Sequence, residues 1–481
     1  MILPGAPCRQ GPSEVQNMKI LLVNPKPVDA YTVYGPSLGL CYLSAYLKER
    51  GLSDIEGIDL NIDSHERLLE SIRKADLVGV YCSTKALRQS LEVAVLAKNL
   101  GKTVVFGGPH PSVLPEDILK NQSVDFVILS EGEESFHALL EALQGRGDIS
   151  LIDGIGYRCD GTTVINPRTK FIKDLDTIPF PDRELFGFDY SKGVTFCATR
   201  GCPYKCSNCQ PALSLQTCAF RMRSVENVIA ELRQVALGKL VHFIDNDLTV
   251  NKKWLRNLCQ RIIEEKLTFT WGCQGRVNTL SRDLMALMKR AGCMDVGIGI
   301  ESGSQELLDG FLKKQLDLKR AEQVIAESAE VGLQLHGWFI IGIPTETLED
   351  MKRTVEFALS HDLASVGFSI GTPWPGTAFY NVAQTNNWIL TSDWEKFNEK
   401  LFSSLKTTHW GPDDIAVCRQ EIIRRFREKD WIVNENDFIF ANPYWGRGPA
   451  TRAAIWLFRR LKLYYVTKPV RRIIRSLLRN F

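Results

Sequence analysis

Short apolar runs rich in β-branched residues alternate with helix-length segments along most of this 481-residue chain, and that rhythm limits the possible folds more than any other feature. Lys19–Asn24 (KILLVN) is apolar enough to be buried on both faces, as a strand inside a parallel sheet must be. Leu38–Gly51 then reads as a helix closed by glycine. The unit repeats through strands at Ile55–Leu60, Leu77–Tyr81, Thr103–Phe106 and Asp125–Leu129. Helices at His65–Lys74, Leu87–Leu100, Pro115–Asn121 and Glu133–Leu143 follow them in turn. Parallel strands need a crossover between them, so the alternation predicts an α/β fold with a doubly wound, Rossmann-like parallel sheet over residues 18–145. Ligands on such sheets bind beyond the carboxyl ends of the strands.

Residues 146–190 read as a linker. Gly161 turns a small hairpin between Tyr157–Cys159 and Thr162–Asn166, and the prolines of Asp176-Thr-Ile-Pro-Phe-Pro-Asp182 enforce an extended joint. Strand-then-helix order returns over residues 191–390. The strands are Val194–Cys197, Val241–Ile244, Thr268–Gly272, Asp295–Ile300, Gln334–Ile341 and Ser365–Ile370. The intervening helices are Val225–Ala236, Lys252–Lys266, Arg282–Ala291, Leu318–Val331 and Leu348–His361. Beyond residue 390, Trp394, Trp410, Trp431 and Trp445 mix with charges and the strand rhythm is lost, so 391–481 reads as mostly helical.

A net charge of +3, 44% hydrophobic and 24% charged residues are ordinary for a globular protein and give no reason to expect a nucleic-acid partner. The 13 cysteines are an odd number that suits a reducing cytoplasm better than a disulfide framework. Residues 1–17 carry Pro4, Pro7 and Pro12 and no apolar core. They read as a disordered extension rather than a secretory signal, with Met18 a candidate for the true start. After Asp437 there are no acids, and over 450–481 a basic face (Arg471, Arg472, Arg475, Arg479) opposes an apolar one (Val470, Ile473, Ile474, Leu477, Leu478, Phe481). Two readings stand: a helix seeking the inner face of the cytoplasmic membrane, or a terminal helix docked on the core.

The chemistry concentrates at Cys202, Cys206 and Cys209. Soft thiolates this close suit an iron–sulfur cluster or zinc. Zinc usually takes four ligands in two close pairs, and no fourth is evident. A cubane held by three cysteines leaves one iron open to bind and activate a ligand, which favours catalysis; a zinc knuckle is the alternative. The spacing C-x3-C-x2-C, with Tyr204 between the first two cysteines, resembles the radical SAM enzymes. The resemblance implies a 4Fe–4S cluster whose open iron chelates S-adenosylmethionine, an electron donor such as a flavodoxin or ferredoxin, and a partial (β/α)6 barrel with its site at the strand carboxyl ends. Residues there match the family in order. Asp245 and Asp247 resemble its acidic loop near the methionyl group, and Arg276 a polar SAM contact. Glu301, followed by Ser302, resembles the ribose acceptor. Gly342 and Pro344 stand where the adenine is backed, and Pro373 opens the closing P-x-P-G-T loop.

A second resemblance covers residues 18–145. Gly39 in Pro36–Leu40, Ser83 and Thr84, Gly107, Gly108 and His110, and Glu131 and Gly132 stand at strand ends. Together they are similar to the cobalamin-binding domain fused ahead of many radical SAM cores. The D-x-H-x-x-G pattern that supplies a cobalt-ligating histidine is missing after the first strand. Asp63-Ser64-His65 looks similar but is better read as a helix cap. Cys197, Cys218, Cys259, Cys273, Cys293, His242 and His336 read as packing residues.

Together the resemblances imply a cobalamin-dependent radical SAM methyltransferase. It would methylate an unactivated carbon of a small-molecule or lipid substrate by way of a 5′-deoxyadenosyl radical and methylcobalamin. The alternative is a cyclase, ring-contraction or carbon-coupling enzyme, as in the anaerobic magnesium-protoporphyrin ester cyclase group, on a lipid or tetrapyrrole-like substrate. A non-catalytic cobalamin or redox sensor is a further reading, opposed by the intact series from Asp245 to Thr377.

Overall fold

The computed structural model describes residues 18–27, 36–191, 193–209 and 220–446. The expected N-terminal extension, the basic tail and Cys218 lie outside the described residues. Two compact units divide the chain. The first runs to Asn246 and adds Pro373–Thr385 and Thr391–Phe397; the second takes Asp247–Thr372, Asn386–Leu390 and the residues after Phe397. Among the described residues no helix is long and apolar enough to cross a membrane.

The first unit is built on a sheet of seven strands. β1 (Ile20–Asn24), β2 (Ile55–Asp59), β3 (Leu77–Tyr81), β4 (Thr103–Gly107) and β5 (Phe126–Ile128) are parallel and stand in the order β2-β1-β3-β4-β5. This is a doubly wound order. Successive residues of β1 enter different cores. Leu21 and Val23 pack with Leu68, Ile72 and Val93, whereas Ile20 and Leu22 pack with Leu40, Leu47 and Phe136. Burial on both faces is why the strand sequences carry no polar alternation. α1 (Leu38–Glu49) and α2 (Glu133–Leu143) cover the second face. The hairpin expected in the linker, β6 (Ile155–Cys159) and β7 (Thr162–Asn166), instead extends the sheet antiparallel to β5. The apolar face that pairs it includes Ile155, which is fully buried.

The same unit holds the parallel pair β8 (Val194–Phe196) and β11 (Leu240–Phe243). Between them in sequence lies a short antiparallel ribbon, β9 (Thr199–Arg200) with β10 (Arg221–Met222). In the second unit β12 (Thr270–Gly275), β13 (Cys293–Glu301), β14 (Gln334–Ile341) and β15 (Ser365–Ile370) are parallel neighbours. The region after 390 is helical at Pro412–Glu428 but also contributes β16 (Ile432–Asn434) and β17 (Ile439–Ala441), which add antiparallel strands beside β15. Their anchor is aromatic packing: Phe426 stacks on Phe440 at 4.3 Å between ring centres, and Phe368 meets Phe438 at 5.5 Å.

Candidate functional site

The three cysteines occupy the connection between β9 and β10. Cys206 is buried and Cys202, Tyr204 and Cys209 are half-buried. All three cysteines are thiols rather than disulfides, and Cys209 N donates to Cys206 O at 3.2 Å to fold the turn. Among the described residues no three His, Cys, Asp or Glu side chains converge on one ion position. Cluster thiolates each hold a different iron and stand further apart than the ligands of a single ion.

Asp245 braces the approach to this loop. Its Oδ1 accepts from Ala198 N (3.0 Å), Thr199 N (2.5 Å) and Thr199 Oγ1 (2.6 Å). Its Oδ2 is buried without a hydrogen-bond partner. Burial pushes the carboxyl up to about 6 although the Thr199 and Ala198 bonds favour the charge.

Both ends of the cysteine loop are clamped to the acidic turn after β5. Arg200 reaches Glu133 Oε1 at 2.6 Å and Glu131 Oε2 at 3.6 Å. Arg221 takes both oxygens of Glu131 and donates to Ile172 O at 2.5 Å. Burial alone would raise the Glu133 carboxyl, but the Arg200 guanidinium more than offsets it and holds the group below the usual carboxylate range. Neither arginine stood out in the sequence, because a charge gives no hint of its partner some 70 to 90 positions away; Arg200 stands two residues before Cys202 and Arg221 twelve after Cys209.

Beside this clamp lies a cavity of about 420 Å³. Its floor is the carboxyl edge of the sheet at Gly79, Val105, Gly107 and Gly108. Leu38, Gly39 and Tyr42 of α1 and the Glu131–Glu133 turn form its sides. Cys197, Thr199, Arg200, Gly201, Ile244 and Asp245 close it from the cysteine end. Gly108 adopts φ +104°, and a Cβ there would stand 2.9 Å from Cys82 O. A Cβ at Gly39 or Gly107 would meet nothing within 4 Å, so bare backbone opens onto the space. Apolar walls and exposed glycine backbone fit a large flat ligand such as a corrin. Among the described residues that line it, none is a histidine.

Three expected residues are placed elsewhere. Ser83, Thr84 and His110 do not line this cavity. The chain after β3 coils into a short 3-10 turn at Thr84–Ala86, which turns Thr84 Oγ1 onto His110 Nδ1 at 3.0 Å. His110 is buried against the edge of Trp394, and burial lowers its imidazole to about 4. Ser64 caps the helix His65–Lys74 by accepting from Arg67 N, as expected. Pro373 is buried at the head of the P-x-P-G-T loop, where Thr377 Oγ1 accepts from Tyr380 N at 3.0 Å and starts the helix Ala378–Thr385. Gly376 has φ +79°, and a Cβ there would stand 2.3 Å from Val113.

The second unit brings Arg276, Glu301 and a residue missed in the sequence, Lys314, together. Lys314 Nζ is 2.5 Å from Glu301 Oε1, and Arg276 donates to Lys314 O. Asp247 is buried; its Oδ1 accepts from Thr249 N (2.9 Å) and Oγ1 (2.7 Å), and its Oδ2 has no hydrogen-bond partner. Burial raises this carboxyl, with the Thr249 bonds and the charges of Arg276 and Lys314 opposing. Ser302 departs from its expected role as a ligand contact: its hydroxyl is fully buried against Thr354 Oγ1 (3.2 Å) and accepts from Ser304 N (3.1 Å), so it braces the loop. Gly342, at φ +84°, and Pro344 lie in a loop pinned by Glu346, whose Oε2 accepts from Gly342 N (2.6 Å) and Ile343 N (2.9 Å). Glu346 lies in the Gly342–Thr347 stretch expected to back the adenine; its bracing role has one signal, an acid four residues after the glycine that follows β14, positioned to fold back on that glycine's amide. His336, on β14, bonds Ser365 Oγ.

Comparisons with known proteins agree with this layout. Residues 28–140 match the B12 binding domain family and residues 196–358 the Radical SAM superfamily. An uncharacterized methyltransferase of Pyrococcus horikoshii is 33% identical over 417 residues, spanning 83% of this chain and 90% of its own length. The anaerobic magnesium-protoporphyrin IX monomethyl ester cyclase of Rubrivivax gelatinosus is 28% identical over 386 residues, 76% of this chain and 68% of that protein. In fold, the chain is similar to the radical S-adenosylmethionine methyltransferase TsrM of Kitasatospora setae, solved with cobalamin and a 4Fe–4S cluster bound. The TM-score is 0.68 at 19% identity, over 89% of this chain and 88% of that one.

Proposed function

This chain belongs to the cobalamin-dependent radical SAM family, and from that premise we propose that it transfers a methyl group to an unactivated carbon of a small molecule. The family's cofactors are a 4Fe–4S cluster, S-adenosylmethionine and cobalamin. When bound, the cluster supplies the electron that cleaves S-adenosylmethionine, and cobalamin supplies a transferable methyl group.

The observation that carries the reading is a shared wall. Thr199, Arg200 and Gly201, which lead into the cysteine loop, also close the glycine-floored cavity. Cys202, Cys206 and Cys209 are the thiols that would hold the cluster. Gly39, Gly107, Gly108 and Gly132 would offer backbone to a bound corrin, and the buried Leu38 and Tyr42 would shield it from water. Asp245 holds the strand end on which the loop is mounted. In the second unit Glu301 supplies acceptors for a ribose, Asp247 a buried acceptor oxygen for an ammonium donor, and the Gly342–Pro344 loop a backbone edge for adenine. Holding reactants in register is the main contribution such a protein makes to radical transfer.

The similarity to the Rubrivivax cyclase supports a second reading, ring closure without methyl transfer. Isotope separates the two. Extract from a strain lacking this protein, incubated anaerobically with the reconstituted protein, reductant and methyl-labelled S-adenosylmethionine, is expected to yield a labelled small molecule absent from the parent extract's substrate pool. An unlabelled product lighter by two hydrogens would instead establish cyclisation.

A further inference from the structure

Among the described residues of the second unit, three of the seven non-glycine residues with positive φ surround one ion pair. Glu301 has φ 68°, Lys313 φ 49° and Gln315 φ 53°. Non-glycine residues avoid this left-handed region, and it persists where the surrounding structure imposes it. The residue between the last two is Lys314, whose ammonium lies 2.5 Å from Glu301 Oε1, both side chains being close to nine-tenths buried. The loop that carries it is tied down throughout: Arg276 donates to Lys314 O, Asn278 Nδ2 to Gln315 O, Lys314 N to Leu308 O (2.8 Å) and Gln305 Nε2 to Leu316 O (2.8 Å).

A missing side chain makes the room. A Cβ at Gly299 would stand 2.3 Å from Glu301 Oε1 and 2.6 Å from Lys314 Nζ, so the carboxylate and the ammonium both sit where any larger residue of β13 would project. An ion pair kept for stability alone gains nothing from three disfavoured backbone conformations around it, which oppose the stability it adds. Strain of this kind is retained where a ligand needs a group held in one orientation.

A vicinal diol needs both oxygens of one carboxylate presented at a defined roll about the Cγ–Cδ bond. A Glu side chain alone rotates freely about that bond. Lys314 engages Oε1, and Oε2 is the oxygen left for a ligand. We propose that Lys314 is a positioning residue that orients the Glu301 carboxylate for the cis-diol of the adenosyl ribose. The inference rests on the S-adenosylmethionine reading above and adds to it a residue that acts through Glu301 rather than on the ligand.

The test is equilibrium binding to the anaerobically reconstituted full-length protein, with S-adenosylmethionine and 2′-deoxy-S-adenosylmethionine as probes. Lys314→Met is expected to weaken S-adenosylmethionine by roughly 10–100-fold, the range for losing a charge-assisted hydrogen bond. It should leave 2′-deoxy-S-adenosylmethionine, which lacks the diol, almost unchanged, and add nothing in a Glu301→Gln background. Lys314→Gln serves if the methionine variant does not fold, and should show the same selective loss. Equal weakening of both probes, or additivity with Glu301→Gln, would overturn the proposal, as would a variant that binds like the wild type. Wild-type protein that binds neither probe would refute the underlying S-adenosylmethionine reading instead.

Discussion

Glu346 shows how one buried acid couples the Gly342–Pro344 loop to pH. Burial drives its carboxyl up to about 8, even though Ile343 and Gly342 amides favour the charged form. An acid whose folded pKa lies above its unfolded value of 4.5 binds more protons in the folded state between those limits. Its contribution to stability is therefore complete below pH 4.5 and is lost as pH rises toward 8. Thermal melts from pH 5 to 8 should show the wild type losing apparent Tm relative to Glu346→Gln, by roughly a few degrees at the alkaline end; parallel curves would contradict the assignment. At this scale the sequence offered candidates where chemistry depends on spacing, as for the three cysteines, which share one connection between β9 and β10. It was silent where a role depends on what lies opposite. Thr84 and His110 stood at suitable strand ends, yet they bond each other under Trp394. Lys314 had no spacing signal at all.

Among the elements, the β9–β10 ribbon carries the account. It fixes both ends of the cysteine loop to the Glu131–Glu133 turn through two arginines. Removing one member of a buried ion pair leaves the other charge uncompensated and costs about 3–5 kcal/mol, while replacing both by apolar groups costs less. Glu133→Gln is expected to lower the denaturant midpoint markedly, and Glu133→Leu with Arg200→Met to recover part of that loss. With the clamp loosened, the ratio of 5′-deoxyadenosine to methylated product should rise. A double variant as unstable as the sum of its singles would contradict the clamp. Long periodic elements were legible to the residue: Leu318–Val331, Gln334–Ile341 and Ser365–Ile370 are as the pattern predicts. β12 lies two to three residues later than its pattern indicated, because glycines that resemble a strand end instead make room for neighbours: a Cβ at Gly272 would stand 2.6 Å from Asp295 Oδ1. The two-residue ribbon and the β16–β17 hairpin were too short for any periodicity to register.

For the whole molecule, the double series of strands and helices was evident in the sequence because burial on both faces leaves no other use for such runs. The six parallel strands expected between residues 191 and 390 are all present, two in the first unit and four in the second. The match to the Radical SAM superfamily over residues 196–358 and to a methyltransferase relative 33% identical over most of the chain makes it a radical SAM enzyme. The direct measurement is 5′-deoxyadenosine formed when the reconstituted full-length protein is given S-adenosylmethionine and dithionite without oxygen. The account predicts its appearance with the wild type and its loss in Cys206→Ala. Equal formation by both, or none from a wild type whose iron and sulfide analysis shows a full cluster, would contradict it.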